Sequence, residues 1–159
     1  MSEGDAPDHS RVVADAAVLA ADLLVGGAAR EAIDHVRRHS WLDLVATGPL
    51  LDDAEAVVAD LADADLATDW RRTLEGSAVL VEQPEGDPPA LAAAYRGNAA
   101  HLLTLDDDLE SPQAGANLRA VMDVSVRSPE AFASVFDPAA VYGLLFDEAY
   151  PGPDRDPRE

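Results

Sequence analysis

The residue type best able to do chemistry in this chain is aspartate, and it is densest in residues 101–109, HLLTLDDDL. Apolar positions that read as a buried strand run there into Asp106, Asp107 and Asp108. A turn of alternating geometry would aim Asp106 and Asp108 at one point and leave Asp107 outward. Either they join a metal site, or they form an Asx-turn or cap that opens a short helix. Other carboxylates raise the same choice. Asp15 closes the run RVVAD, at the mouth of a sheet or as the cap of a following helix. In the helix over 49–61, apolar positions 50, 51, 54, 57, 58 and 61 form one stripe. Asp52 points away from that stripe, whereas Asp53 and Glu55 flank its edges. There a carboxylate either leans toward a cleft or simply interacts with the helix dipole. Asp87 directly precedes Pro88 and Pro89 and an apolar helix, which is an N-cap signature.

Short apolar runs alternating with helical patterns must position these acids. Strands are expected at 11–15, 41–47, 77–83, 102–105 and 123–126. Helices are expected at 28–39, 49–61, 65–76, 88–97, 112–122 and 129–136, with an apolar helical start before the first of them. A last amphipathic helix over 139–150 packs back on the body or on a partner. This alternation predicts one α/β domain over 11–150, a three-layer α/β/α fold with a mainly parallel central sheet. Residues 1–10 and 151–159, rich in Pro, Asp and Gly, read as flexible tails. Ligands of such sheets bind outside the carboxyl ends of the strands, which gives strand-end aspartates their interest.

Composition narrows the function classes. Acidic residues number 31 against 11 basic, a net charge of −20, and all the basic residues are arginine. The acidic, lysine-free surface resembles proteins of salt-loving organisms that keep high salt in the cytoplasm. At ~1 M salt the Debye length is about 3 Å, so self-repulsion is screened. The 48% apolar content supports a packed core. The absence of cysteine excludes disulfides, thiolate metal sites and a cysteine nucleophile. No signal peptide and no apolar run of ~18 residues is evident, so a cytoplasmic protein with no membrane partner is expected.

Taken together, the acidic segments carry a resemblance. Residues 11–136 resemble a PIN domain, the metal-dependent nuclease family that includes many toxin ribonucleases, here of halophilic archaeal type. VVADAAVLAADLLVGGAAREAIDHVRRH is similar to that family's first strand, first acid and following helices. GPLLDDAEAVVADL is similar to its second acidic helix, with Asp53 where glutamate is usual. DPPALAAAYRGNAAHLLTLDDDL is similar to the segment with the remaining acids, Thr104 and Asp106 matching a Thr-x-Asp at a strand end. MDVSVRSPEAFASVF resembles the closing strand and helix.

The resemblance implies a divalent-metal-dependent endoribonuclease, with Asp15, Asp53, Asp87 and Asp106 as catalytic acids. Asp15, Asp87, Asp106 and Asp108 would ligate Mg²⁺ or Mn²⁺, and Thr104 would orient Asp106 or contact phosphate. Carboxylates are hard donors suited to these ions, which in turn offset the mutual repulsion of converging acids. Single-stranded RNA is the implied substrate, and a homodimer and a cognate antitoxin are the partners it allows. Two departures stand against full activity. Ala16 and Ala17 replace the polar pair that commonly follows the first aspartate, and Asn98-Ala99-Ala100 replaces Gly-Ala-Asp. The alternative is therefore a catalytically impaired PIN-like module that binds RNA or a protein.

Rival chemistries lack their residues. A receiver domain and a haloacid-dehalogenase-type phosphatase need a lysine, and a P-loop needs Gly-Lys-Ser/Thr. His35 and His39 have the i, i+4 spacing of zinc ligands but no evident third ligand, so HVRRH reads as a solvated helix face. Trp41, Trp70 and the tyrosines are too dispersed for a base-stacking platform.

Overall fold

The structure is a computed structural model that describes residues 8–82, 89–105 and 124–156. Its elements, in chain order, are β1 (Asp8–Ala14), α1 (Ala16–Leu24), α2 (Gly27–Arg37), β2 (Asp43–Ala46), α3 (Gly48–Leu61), α4 (Ala64–Ser77) and β3 (Val79–Leu80). They continue with α5 (Pro89–Arg96), β4 (Ala99–Leu103), β5 (Ser125–Arg127), α6 (Pro129–Val135) and α7 (Pro138–Phe146). Every strand pairing is parallel, in the order β3-β2-β1-β4-β5, and the fold is the expected three-layer α/β/α. The predicted strand at 77–83 shrinks to two residues, and the predicted helix over 112–122 lies outside the described residues.

Parallel strands covered on both faces need continuous apolar runs, and β1 and β4 have them. Val12, Val13, Ala14, Leu102 and Leu103 are essentially without solvent contact. Around them close Val18 and Leu19 of α1, Ile33 of α2, Leu50, Leu51 and Val58 of α3, and Ala93 of α5. The α3 stripe is buried as its spacing predicts, except that Val57 is half-buried and Leu61 ends up exposed. At Gly97, between α5 and β4, a Cβ would come within 2.5 Å of Val45 Cγ1 and 2.9 Å of the Ala93 carbonyl oxygen. Only a residue without a side chain lets this turn lie against β2.

Arginine ties the acidic surface together. Arg37 pairs with the buried Asp22 and Asp34, the latter at 3.0 Å. Burial of the guanidinium works against its charge, but the two carboxylates outweigh that and hold its pKa above the ordinary value. Arg71 of α4 pairs with Asp52 and, at 3.0 Å, with Glu55, both on α3.

Parts of both expected tails, residues 8–10 and 151–156, are tied into the fold. Strand β1 begins inside the first ten residues, where the Asp8 amide donates to the Asn98 carbonyl at 2.8 Å. After α7 the chain straps itself to the turn between α2 and β2. The amides of Asp154 and Arg155 donate to the Arg38 carbonyl at 2.9 and 3.1 Å. Asp154 accepts from the Ser40 amide at 2.7 Å, and Arg155 Nη2 donates to the His39 carbonyl at 2.9 Å. Helix α7 is not amphipathic: residues 138–146 carry no charge, none is buried, and Leu144 is 71% exposed. The expected solvated face at His35 and His39 is corrected as well. His39 is 1% exposed, donates through Nδ1 to the His35 carbonyl at 2.6 Å, and meets the Tyr150 hydroxyl through Nε2 at 2.5 Å. His35 packs on Phe132 and Phe136.

Candidate functional site

The sheet places its topological switch point between β1 and β4. From β1 the chain moves outward through β2 and β3, then crosses back so that β4 lies on the other side of β1. Register carries the residues there. Ala14 pairs with Leu103, so Asp15 and Thr104 emerge side by side at the carboxyl ends of the two central strands. The ladder continues for one step, the Asp15 amide donating to the Leu103 carbonyl and the Thr104 amide to the Arg127 carbonyl, both at 3.0 Å.

Asp15 is held on both oxygens. Its Oδ1 accepts from the Val18 amide at 3.1 Å, which caps α1, and its Oδ2 accepts the Thr104 hydroxyl proton. Cap and cleft position, alternatives in the sequence, are thus one arrangement. Each oxygen accepts one hydrogen bond and keeps a further lone pair open, so the side chain can still serve as a hard oxygen ligand. Thr104 is 0% exposed and donates its hydroxyl proton to Asp15; Asp106, the partner expected for it, lies outside the described residues.

The same register extends the row. Val12 pairs with Leu44 and Leu103 with Arg127, so continuing both ladders sets Thr47, Asp15, Thr104 and Ser128 across the ends of β2, β1, β4 and β5. Thr47 caps α3 through the Leu50 amide and Ser128 caps α6 through the Ala131 amide, each at 3.1 Å. One carboxylate therefore sits among three hydroxyl residues, beside helices whose first turns open at this edge. Sequence reading missed Thr47 and Ser128. Each stands one residue beyond a strand and opens a helix, a signal visible in the chain but not directed at a site.

Asp53 is exposed on α3, which packs against α1, and makes no hydrogen bond or ion pair among the described residues. Its neighbours Asp52 and Glu55 are occupied by Arg71, so Asp53 is the solvated carboxylate of that turn. Asp87, Asp106, Asp107 and Asp108 lie outside the described residues. Among the described residues no group of three or more His, Cys, Asp or Glu side chains converges as a metal cage. Asp15 fits a Mg²⁺ or Mn²⁺ ligand in its chemistry and in its place at the switch point. It makes one such donor, not a full set.

Residues 6–158 match the model of a family of unknown function, DUF7384. The chain belongs to that family. Neither the curated proteins nor the solved structures compared with this DUF7384 chain gave a match. Among its described residues no helix is long and apolar enough to cross a membrane.

Proposed function

We propose that this chain is a divalent-metal-dependent ribonuclease of PIN type, cutting single-stranded RNA at the carboxyl edge of its sheet. The observation that carries the reading is the Asp15 carboxylate, fixed at the switch point by Thr104 and the Val18 amide. The resemblance of residues 11–136 to PIN nucleases supports it, together with the supply of further acids at Asp53, Asp87, Asp106 and Asp108.

In this reading Asp15, Asp87, Asp106 and Asp108 hold Mg²⁺ or Mn²⁺, and Asp53 contributes charge from α3. When bound, the ion supplies Lewis-acid polarisation of a phosphodiester oxygen and acidifies a water at neutral pH. The chain's own residues do the positioning. Asp15 cannot swing away, because its two oxygens are tied to different elements. Thr47 and Ser128, with the opening turns of α3 and α6, line the edge a phosphate would approach and favour its negative charge. A surface of net charge −20 repels RNA, and high salt weakens both that repulsion and arginine–phosphate contacts. Binding then rests on the short-range site.

The test is incubation of single-stranded RNA with the purified protein in molar KCl, with Mn²⁺ or Mg²⁺ and with a chelator. Metal-dependent cleavage that disappears in Asp15→Asn and in Asp106→Asn is expected. No cleavage, with no ion bound in Mn²⁺-soaked crystals, would sink the enzyme reading.

A second reading keeps the fold without the chemistry. Ala17 is exposed at the start of α1, where a polar side chain would otherwise stand near Asp15. A PIN-like module that binds RNA or a protein without cutting is favoured if RNA is retained and never cleaved.

A further inference from the structure

His101 lies in the middle of β4, 9% exposed, and among the described residues neither ring nitrogen has a hydrogen-bond partner. Its ring is packed edge-on against Phe132 of α6 and Phe136 just beyond it, at 5.4 and 5.7 Å between centroids. The two phenylalanines stack on each other at 4.7 Å, and His35 of α2 closes their far side. This box of rings joins α6 to the sheet and to α2, and α7 follows one turn later. Both ring nitrogens of His101 are buried, so a charge appearing there meets little water.

Among the described residues, the charged and titratable groups around His101 are basic. From β1 comes His9, whose ring is 6.0 Å away, from β5 comes Arg127, and from α2, across the phenylalanines, His35. From α6 it is the Phe132 ring that meets the imidazole. In a chain of net charge −20, no carboxylate among the described residues acts on this imidazole. Burial, then His9 and Arg127, pull its pKa from 6.5 down to about 4.

We propose that His101 is an acid-sensitive latch: taking up a proton releases α6 and α7 from the sheet while β1, β2, β4 and their other helices keep their fold. Linkage fixes the direction. The docked state binds the proton only near pH 4, whereas the released imidazole returns toward 6.5. Docking is therefore at full strength above pH 6.5, weakens as pH falls from there, and loses nothing further below about 4. Release uncovers Phe132 and Phe136 and adds to the apolar surface that Leu144 and Phe146 already present.

Trp41 reports the event, because its indole packs on Tyr142 at 5.2 Å and on Phe146 at 6.0 Å, both on α7. The experiment is a titration of Trp41 fluorescence from pH 8 to 4 in 2 M KCl on a Trp70→Phe background, alongside far-ultraviolet circular dichroism. A reversible Trp41 transition between pH 6.5 and 4, with most helical signal retained, is expected; in His101→Phe it should be absent. The histidine C2–H resonances of the unsubstituted chain give a second measurement, and His101 should titrate together with the Trp41 change. The proposal is overturned if His101→Phe shows the same transition. It is equally overturned if the His101 resonance titrates apart from Trp41, or if all helical signal is lost together with it.

Discussion

Thr104 and Asp15, 89 residues apart in the chain, are joined by a hydrogen bond from the threonine hydroxyl to the carboxylate at the switch point of the sheet. The bond fixes the direction of a strand-end acid that lies where two adjacent central strands end. It also makes Thr104 a positioning residue, acting through Asp15.

Thr104→Val keeps the shape and removes the donor. Metal affinity and RNA cleavage should fall by about 10- to 100-fold, as when an outer-shell partner is lost. Stability should fall by only ~1–2 kcal/mol. Thr104→Ser should restore both, as measured by Mn²⁺ titration calorimetry and cleavage rate.

Asp15 has two roles that different substitutions separate. Asparagine caps a helix as well as aspartate does, so Asp15→Asn should keep the melting temperature within about 1 kcal/mol of stability while abolishing Mn²⁺ binding and cleavage. Asp15→Ala should lose the cap too, at a further cost of ~1 kcal/mol. Equal melting temperatures for the two variants would contradict the observed bond to the Val18 amide.

Arg37→Met leaves Asp22 and Asp34 buried without their guanidinium. A loss of about 3 kcal/mol is expected in urea unfolding, the low end for a broken buried pair because Arg37 itself reaches solvent. Arg72 and Asp69 pair on the surface of α4 at 3.2 Å with both side chains well exposed. Arg72→Met should therefore change stability little.

Gly97→Ala drives a methyl into Val45 and the Ala93 carbonyl. Overpacking of this kind costs typically 1–3 kcal/mol, and roughly that shift should appear in the unfolding midpoint. The double variant with Val45→Ala should recover part of it, since Val45 Cγ1 is the nearest atom to the added carbon.

Salt should act on the whole surface. Raising KCl from 0.1 to 2 M should raise the melting temperature, because the Debye length shrinks from about 10 Å to below 3 Å and acidic self-repulsion is screened. A melting temperature that falls over this range would contradict the assignment of the surface to high salt.

The fold was legible where one segment decides its own structure. The apolar run ending at Asp15, the stripe of α3 and the helical pattern over 129–136 all read directly from their order of residues. Tertiary facts were not legible. That Thr104 serves Asp15 depends on a register between strands far apart in sequence. That residues 150–156 form a strap depends on carbonyls left open at the end of α2, which the Pro- and Asp-rich composition does not disclose. His39 looked solvated because its neighbours are arginines, yet Tyr150 arrives from 111 positions away to cover it.

The strand order also governs how the chain comes to be folded. Strand β1 is made first but ends in the middle of the sheet, and its partner β4 begins only at Ala99. Until then one edge of Val12 and Val13 lacks its native neighbour, and an open apolar edge is a template for pairing with another chain. Non-local parallel pairing is slow to form, so the nascent protein passes through a stage prone to aggregation. In dilute salt the net charge of −20 holds such intermediates apart. In molar salt that repulsion is screened within about 3 Å, and protection then rests on how soon β4 arrives.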